Sequence, residues 1–139
     1  MELRQLSNKD IDDIVKLTLQ LNPDITEDKL GSMQREMFDF DNYFCFGFFK
    51  ESQLLGISSG WILVKLYSGK QLEIDNVIVV PAHRSKGYGQ LFLKEIDQWA
   101  VENGCKTVEL NTYVQNSRSH KFYFNLNYKI LGFHFQKFL

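Results

Sequence analysis

The sequence predicts an α+β fold in which an antiparallel first half is followed by one β-α-β crossover. Residues 43–49 and 54–67 are rich in aromatic and branched apolar residues and are joined by a short polar turn, which is typical of a β-hairpin. Residues 72–80 and 105–112 also have strand character, and a helical pattern from 90 to 100 separates them. Such a strand–helix–strand unit should form a right-handed crossover between parallel strands.

Length and composition favour one compact domain over residues 1–139. The chain is 44% hydrophobic and 14% aromatic, with twelve Phe, so it can bury a sizeable core. It contains no internal repeat, linker or low-complexity stretch. The expected domain organisation is therefore a single unit.

Charge and cysteine content exclude several classes of function. The 16 Lys and Arg nearly balance the 17 Asp and Glu, so nothing favours general binding of nucleic acid or of a membrane surface. No apolar signal region or membrane-length apolar run is present, and a cytoplasmic protein is expected. Cys45 and Cys105 are isolated thiols in apolar patterns, and the three histidines lack metal-ligand spacing, so no metal site is predicted.

The first elements follow from capping and periodicity. Residues 3–6 predict a short strand, and Ser7 or Asn8 can cap a helix with apolar residues at 11, 14, 15 and 17. Pro23 ends that helix, and a weaker helix follows from about 26 to 38 with Thr26 as its cap. After the crossover, the sequence predicts a short helix beyond Asn116 and an aromatic final strand at 128–138.

A glycine-bearing turn links the strand at 77–80 to the following helix. Pro81 stops the strand, and the turn contains Arg84, Lys86, Gly87 and Gly89 before Gln90 opens the helical pattern. Unpaired N–H groups and the positive end of the helix dipole suit a phosphate, and glycines allow its close approach. The alternative is an ordinary structural turn between a strand and a helix.

The spacing of the turn narrows the choice of phosphate ligand. No Gly-Lys-Ser/Thr ends it, so it is not a P-loop, and it lacks the third glycine of the dinucleotide-binding pattern. The pattern Arg-x-x-Gly-x-Gly at Arg84, Gly87 and Gly89 resembles the pyrophosphate loop of the GCN5-related N-acetyltransferases (the GNAT superfamily).

A second motif strengthens this resemblance. Residues 116–128 are similar to the family pattern Asn-x-x-Ala-x-x-(Phe/Leu)-Tyr-x-x-x-Gly-(Phe/Tyr). The matching positions are Asn116, Phe122, Tyr123 and Tyr128, with Ser119 for the usual alanine and Asn127 for the usual glycine. Both changes are mild, because serine is small and asparagine tolerates a left-handed backbone.

The resemblance implies a fold and a co-substrate. The expected fold has a central mixed, mostly antiparallel sheet with a splayed parallel pair of strands and flanking helices. Acetyl-CoA would lie between those two strands, its pantetheine arm against backbone groups of Ile78, Val79 and Val80. Asn116 would also contact the cofactor. The cradle for the pyrophosphate would comprise Arg84, Ser85, Lys86, Gly87, Tyr88, Gly89 and Gln90.

The resemblance also implies catalytic roles. Glu73 lies eleven residues before Arg84, where some family members place a general base, and Asp75 on the same face is the reserve candidate. Tyr123 matches the tyrosine that protonates the departing thiolate. The structural alternatives are a surface ion pair for Glu73 and a core tyrosine for Tyr123.

The acceptor is the least determined part. Acidic residues and rings cluster in and around the second helix, which suits a cationic amine, although a solvated helix face is the simpler explanation of the acidic residues. They are Asp24, Glu27, Asp28, Glu36, Asp39 and Asp41, with Phe38, Phe40 and Tyr43. The end of the chain resembles small-molecule acetyltransferases of the aminoglycoside and aminoalkylphosphonate type, which implies a primary amine as acceptor.

Three other interpretations stay open. The acceptor could be a protein N-terminus or lysine, or the chain could be a non-catalytic acyl-CoA binder that regulates a partner. The third is an α+β domain outside this family, whose glycine turn is only structural. The aromatic final strand is also compatible with a homodimer.

Overall fold

The computed structural model describes all residues, Met1–Leu139, and its contacts divide them into two compact units, Met1–Glu109 and Leu110–Leu139. The strands are β1 (Glu2–Leu6), β2 (Tyr43–Lys50), β3 (Gln53–Lys65), β4 (Gly69–Val79) and β5 (Thr107–Leu110). The helices are α1 (Ile11–Thr18), α2 (Glu27–Phe38), α3 (Tyr88–Glu102) and α4 (Ser117–Asn125).

The five strands form one mixed sheet in the order β1-β2-β3-β4-β5. The first four are antiparallel to their neighbours, and β5 runs parallel to β4. The prediction of a mixed, mostly antiparallel sheet with flanking helices is therefore confirmed. None of the helices combines the length and the apolar character that crossing a membrane requires.

The first helices begin where the sequence predicts. Ser7 forms a capping box with Asp10 at a short 3-10 turn that leads into α1. The hydroxyl of Thr26 accepts the backbone N–H of Lys29 and caps α2. Each cap satisfies N–H groups that a helix start leaves without a partner.

The sheet buries a different core on each face. On one face, Ile14 and Leu17 of α1 pack in a cluster that includes Cys45 and Ile57. On the other face the rings of β2 meet α3, with centroids 5.1 Å apart for Phe48 and Phe92 and 4.8 Å apart for Phe46 and Trp99. The Phe residues of β2 and α3 thus contribute to the core of the sheet.

A β-bulge interrupts the pairing of β3 and β4. Ile57 pairs with Ile78 and Ser59 pairs with Asp75, so β4 has one residue more than β3 in this interval. Asn76 takes up the extra length with a left-handed backbone, φ 49°. Because Ile57 and Ser59 lie on one face of β3, the bulge brings Asp75 and Ile78 to the same face of β4.

The unit from Leu110 to Leu139 contains one helix. The side chain of Asn116 accepts the N–H of Ser119 and caps α4. Asn127 follows the helix with a left-handed backbone, φ 66°, as predicted for the residue that stands in place of glycine.

The predicted final strand at 128–138 is wrong. Residues 128–139 take neither helix nor strand, and the large apolar residues of this tail are 74% to 116% exposed: Ile130, Leu131, Phe133, Phe135, Phe138 and Leu139. Aromatic composition indicates strand propensity, but a strand also needs a neighbouring edge and a covered face. The tail has neither in this structure. Similarly, β5 is shorter than the predicted strand at 105–112.

We expect Gly56→Ala to destabilise the fold by about 1–3 kcal/mol, because overpacking in a closed interior has this cost. A Cβ at position 56 would stand 2.6 Å from the carbonyl oxygen of Ile78, which is backbone and must move. Gly31→Ala is the matched control, since its nearest contact is an ordinary 3.5 Å to Arg35. Urea unfolding of both variants measures the difference, and equal stability would contradict the close approach of β3 and β4.

Candidate active site

The turn after β4 presents free backbone donors at the start of α3. Gly87 is the N-cap residue, with a left-handed backbone (φ 77°), and no side chain caps the helix. The N–H groups of Tyr88, Gly89 and Gln90 lie in the first turn, where a helix supplies no carbonyl partner. A Cβ placed on Gly87 would meet no atom within 4 Å, so the space above the turn is open.

Arg84 fastens this turn to its surroundings. Its Nε donates to the carbonyl of Val79 at 3.0 Å, and one of its terminal nitrogens donates to Oε1 of Gln20 at 3.2 Å. Lys86 is exposed beside it. The turn therefore combines positive charge, unpaired N–H groups and open space, which together fit a diphosphate.

The three residues predicted to contact the pantetheine arm differ in how many of their backbone N–H and C=O groups already form hydrogen bonds within the protein. The N–H of Val80 donates to Leu55 at 2.8 Å, and its carbonyl accepts the N–H of His83 at 2.8 Å. The carbonyl of Val79 accepts Arg84, and Ile78 is buried opposite Ile57. Both backbone groups of Val80 therefore already have partners within the protein.

Glu73 takes part in an ion pair. Its carboxylate accepts Nζ of Lys65 at 3.3 Å and Nε2 of Gln71 at 3.5 Å, and both charged side chains are about one-third exposed, at 31% and 39%. The surface ion pair named as the alternative to a base role is therefore present. Glu73 also lies opposite Trp61 in the β3–β4 register.

Asp75 lies in a polar cluster at the bulge. The hydroxyl of Ser59 and Nδ2 of Asn76 both donate to its Oδ1, the latter at 3.1 Å. Burial raises the pKa of the Asp75 carboxyl, although the hydrogen bonds from Ser59, Trp61 and Asn76 lower it in part. Sequence analysis missed Ser59, Asn76 and Trp61. The available signal was the polar pair at 75 and 76 inside an apolar strand.

Aromatic side chains stand beside these carboxylates. Ring centroids lie 4.8 Å apart for Tyr43 and Trp61, 5.6 Å for Phe40 and Trp61, and 5.5 Å for Phe38 and Tyr43. The hydroxyl of Tyr43 accepts Nε2 of Gln34 at 2.9 Å, and burial raises the pKa of this phenol. The structure thus brings together the three rings predicted for the acceptor region and adds Trp61.

Three of the acidic residues predicted for the acceptor region line grooves formed by α1 and α2. Glu27 and Asp28 line a groove between α1 and α2 that also contains Arg35. Asp39 lines a neighbouring groove with Lys9 and the same Arg35. The negative charge next to the rings comes from β4 instead.

In the unit from Leu110 to Leu139, Tyr123 is half-buried on α4. Its ring packs against Phe122 at 5.2 Å and Tyr128 at 5.4 Å between centroids. Burial raises the pKa of its phenol, which keeps the proton on the oxygen at neutral pH. Asn116, predicted to contact the cofactor, uses its side chain to cap this helix.

The histidines have local partners. A ring nitrogen of His120 lies 2.9 Å from the carbonyl oxygen of Tyr113, and one of His83 lies 3.2 Å from Nε2 of Gln53. His134 lies on the exposed tail.

Comparison with known proteins identifies similar sequences. The family model described as "Acetyltransferase (GNAT) family" matches residues 12–128. The N-acetyltransferase YhdJ of Bacillus subtilis (strain 168) is 26% identical over 83 residues, which is 60% of this chain and 58% of that protein.

Solved structures share the fold at low sequence identity. A "possible acetyltransferase" from Clostridium difficile 630 superposes with a TM-score of 0.86 at 16% identity, covering 99% of this chain and 96% of that one. AAC(6')-Iy, in complex with the bisubstrate analog CoA-S-monomethyl-acetylneamine, gives 0.83 at 18% identity, with 99% and 98% covered. A GNAT family acetyltransferase of Staphylococcus aureus subsp. aureus USA300_TCH1516 gives 0.77 at 21%, with 99% and 98% covered.

We expect Gly87→Ala to weaken the binding of coenzyme A by about tenfold or more. The left-handed backbone costs a non-glycine residue roughly 1–2 kcal/mol, and the new Cβ occupies the open space above the helix start. Gly132→Ala is the control, because its Cβ also meets no atom within 4 Å but lies on the tail. Titration calorimetry with coenzyme A measures both variants. Unchanged affinity in Gly87→Ala would contradict the phosphate site.

Proposed function

Because the chain belongs to the GNAT acetyltransferase family, we propose that it moves an acetyl group from acetyl-CoA to the primary amine of a small molecule. The amine attacks the thioester directly, without an acetylated protein intermediate. The observation that carries the proposal is the start of α3, where open space above Gly87 faces uncapped N–H groups.

The turn after β4 holds the cofactor through its diphosphate. Tyr88, Gly89 and Gln90 supply N–H donors and Lys86 supplies charge, while the bonds of Arg84 to Val79 and Gln20 hold the turn in place. The pantetheine arm then runs along β4 near Ile78 and Val79.

The reaction needs a base for the amine and an acid for the thiolate. Glu73 and Asp75 provide the negative charge that a cationic amine requires and the base that deprotonates it, since only the neutral amine is a nucleophile. Tyr123 donates the proton that the departing thiolate needs. The phenol carries the proton that this role requires at neutral pH, since burial raises its pKa above the ordinary value.

A small acceptor agrees with the aromatic corner of Phe40, Tyr43 and Trp61 beside Glu73. Rings next to carboxylates bind compact cations. The neighbour AAC(6')-Iy is an aminoglycoside N-acetyltransferase by its name, and one of its structures contains the bisubstrate analog CoA-S-monomethyl-acetylneamine. The second candidate for the acceptor is the amine of a protein. In a homodimer, the exposed tail would pair with a second copy of the chain.

The proposal is tested by mixing the protein with acetyl-CoA and a panel of amines that includes aminoglycosides, short polyamines and N-terminal peptides. We expect thiol release with at least one small amine and an N-acetylated product by mass spectrometry. Activity restricted to peptides would favour the protein acceptor. Tight coenzyme A binding without any turnover would favour a non-catalytic binder.

We expect Tyr123→Phe to lower kcat by about 10²-fold or more, the usual contribution of a positioned general acid. The affinity for acetyl-CoA should stay the same, because the ring and its packing on Phe122 and Tyr128 are retained. Tyr113→Phe is the control, since Tyr113 is 79% exposed in the same unit. Equal kcat in the two variants would exclude the acid role.

A further inference from the structure

We propose that Asp75, and not Glu73, accepts the proton of the acceptor amine, with Ser59 and Asn76 as the residues that position its carboxylate. The inference rests on the proposed function and divides the work of its two carboxylates. Glu73 supplies attraction for the cation, and Asp75 performs the proton transfer.

The geometry of the bulge supports this division. The left-handed backbone of Asn76 lets its amide reach back to Oδ1 of Asp75 at 3.1 Å and to the hydroxyl of Ser59 at 3.3 Å. Ser59 donates to the same Oδ1, and the indole of Trp61 also bonds the carboxylate. Three residues therefore fix the orientation of one carboxylate, as a reacting group requires.

Glu73 lacks such a setting. Its carboxylate is held by the ammonium of Lys65, a partner that has to be neutralised or displaced before an amine can take its place. Lys65 also lies 5.9 Å from the ring of Tyr67, so this ion pair belongs to the end of the β3–β4 hairpin. Such a surface pair is weak enough for a cationic amine to compete with Lys65 for the carboxylate, but a carboxylate that is paired with an ammonium is poorly suited to receive a proton.

The surroundings of Asp75 raise the pKa of its carboxyl above the ordinary value. Burial raises its pKa, and the negative charge of Glu73 on the same strand raises it further. From β2, Tyr43 and Cys45 face it as neutral groups, because burial raises the pKa of both and brings the thiol to about 12. Lys65 is bound to Glu73, and Asp10 interacts with Cys45.

The proton balance is complete with the groups named. The ammonium gives one proton to Asp75, and the neutral amine attacks the thioester carbon. The C–N bond forms and the C–S bond breaks, and the thiolate takes the proton of Tyr123. The second proton lost by nitrogen restores the phenol, and Asp75 releases its proton to water.

The experiment compares the pH dependence of kcat/KM for Asp75→Asn, Ser59→Ala and Glu73→Gln with that of the wild type, using the best amine. We expect Asp75→Asn to lower kcat/KM by about 10²–10³-fold and to remove the acidic limb. Ser59 lowers the pKa of Asp75, so Ser59→Ala should move that limb to higher pH. Glu73 raises that pKa, so Glu73→Gln should move the limb to lower pH and increase KM for the amine.

The controls separate this role from a structural one. Melting temperature and coenzyme A affinity should be unchanged in all three variants, whereas a role in folding would change them and leave the acidic limb in place. If the wild type is active, and the acidic limb of the kcat/KM profile persists in Asp75→Asn but disappears in Glu73→Gln, the inference about Asp75 is wrong. The proposed function would still stand in that case. A wild type that acetylates no amine overturns the proposed function and this role with it.

Discussion

The extra residue of β4 at Asn76 is the constraint on which the site depends. It interrupts the pairing of β3 with β4 between the Ser59–Asp75 pair and the Ile57–Ile78 pair. The shift leaves Asp75 and Ile78 on the same face of β4. The Asp75 carboxylate therefore lies on the same side of the sheet as the part of β4 that is proposed to hold the cofactor. A regular strand would turn one of these two side chains toward α3.

The same strand leads directly into the turn that is proposed to bind the diphosphate. Pro81 removes a ladder donor, a 3-10 turn follows, and Arg84 returns to the carbonyl of Val79. The guanidinium thus connects the end of β4 with the helix start, and α3 is anchored behind it by the contact of Phe92 with Phe48. The position of the N–H groups is therefore set by the core of the sheet.

Much of this could be predicted from sequence because it is local. Thr26 caps α2 and Asn127 takes the left-handed backbone since each depends only on neighbouring residues. The cluster of Ser59 and Asp75 could not be predicted from the sequence, because it depends on the β3–β4 register, which a bulge displaces. The tail after Tyr128 was assigned to a strand on composition, and composition carries no information about which edge, if any, is available as its partner.

The two cysteines give the molecule a chemically quiet background. Cys45 is 2% and Cys105 is 8% exposed, and burial raises the pKa of both thiols. Disulfide exchange proceeds through a thiolate that can reach its partner, and neither condition is met here. Both thiols should therefore form mixed disulfides slowly in the folded protein, and a chromogenic thiol reagent should report mainly on the thiol released from the proposed co-substrate.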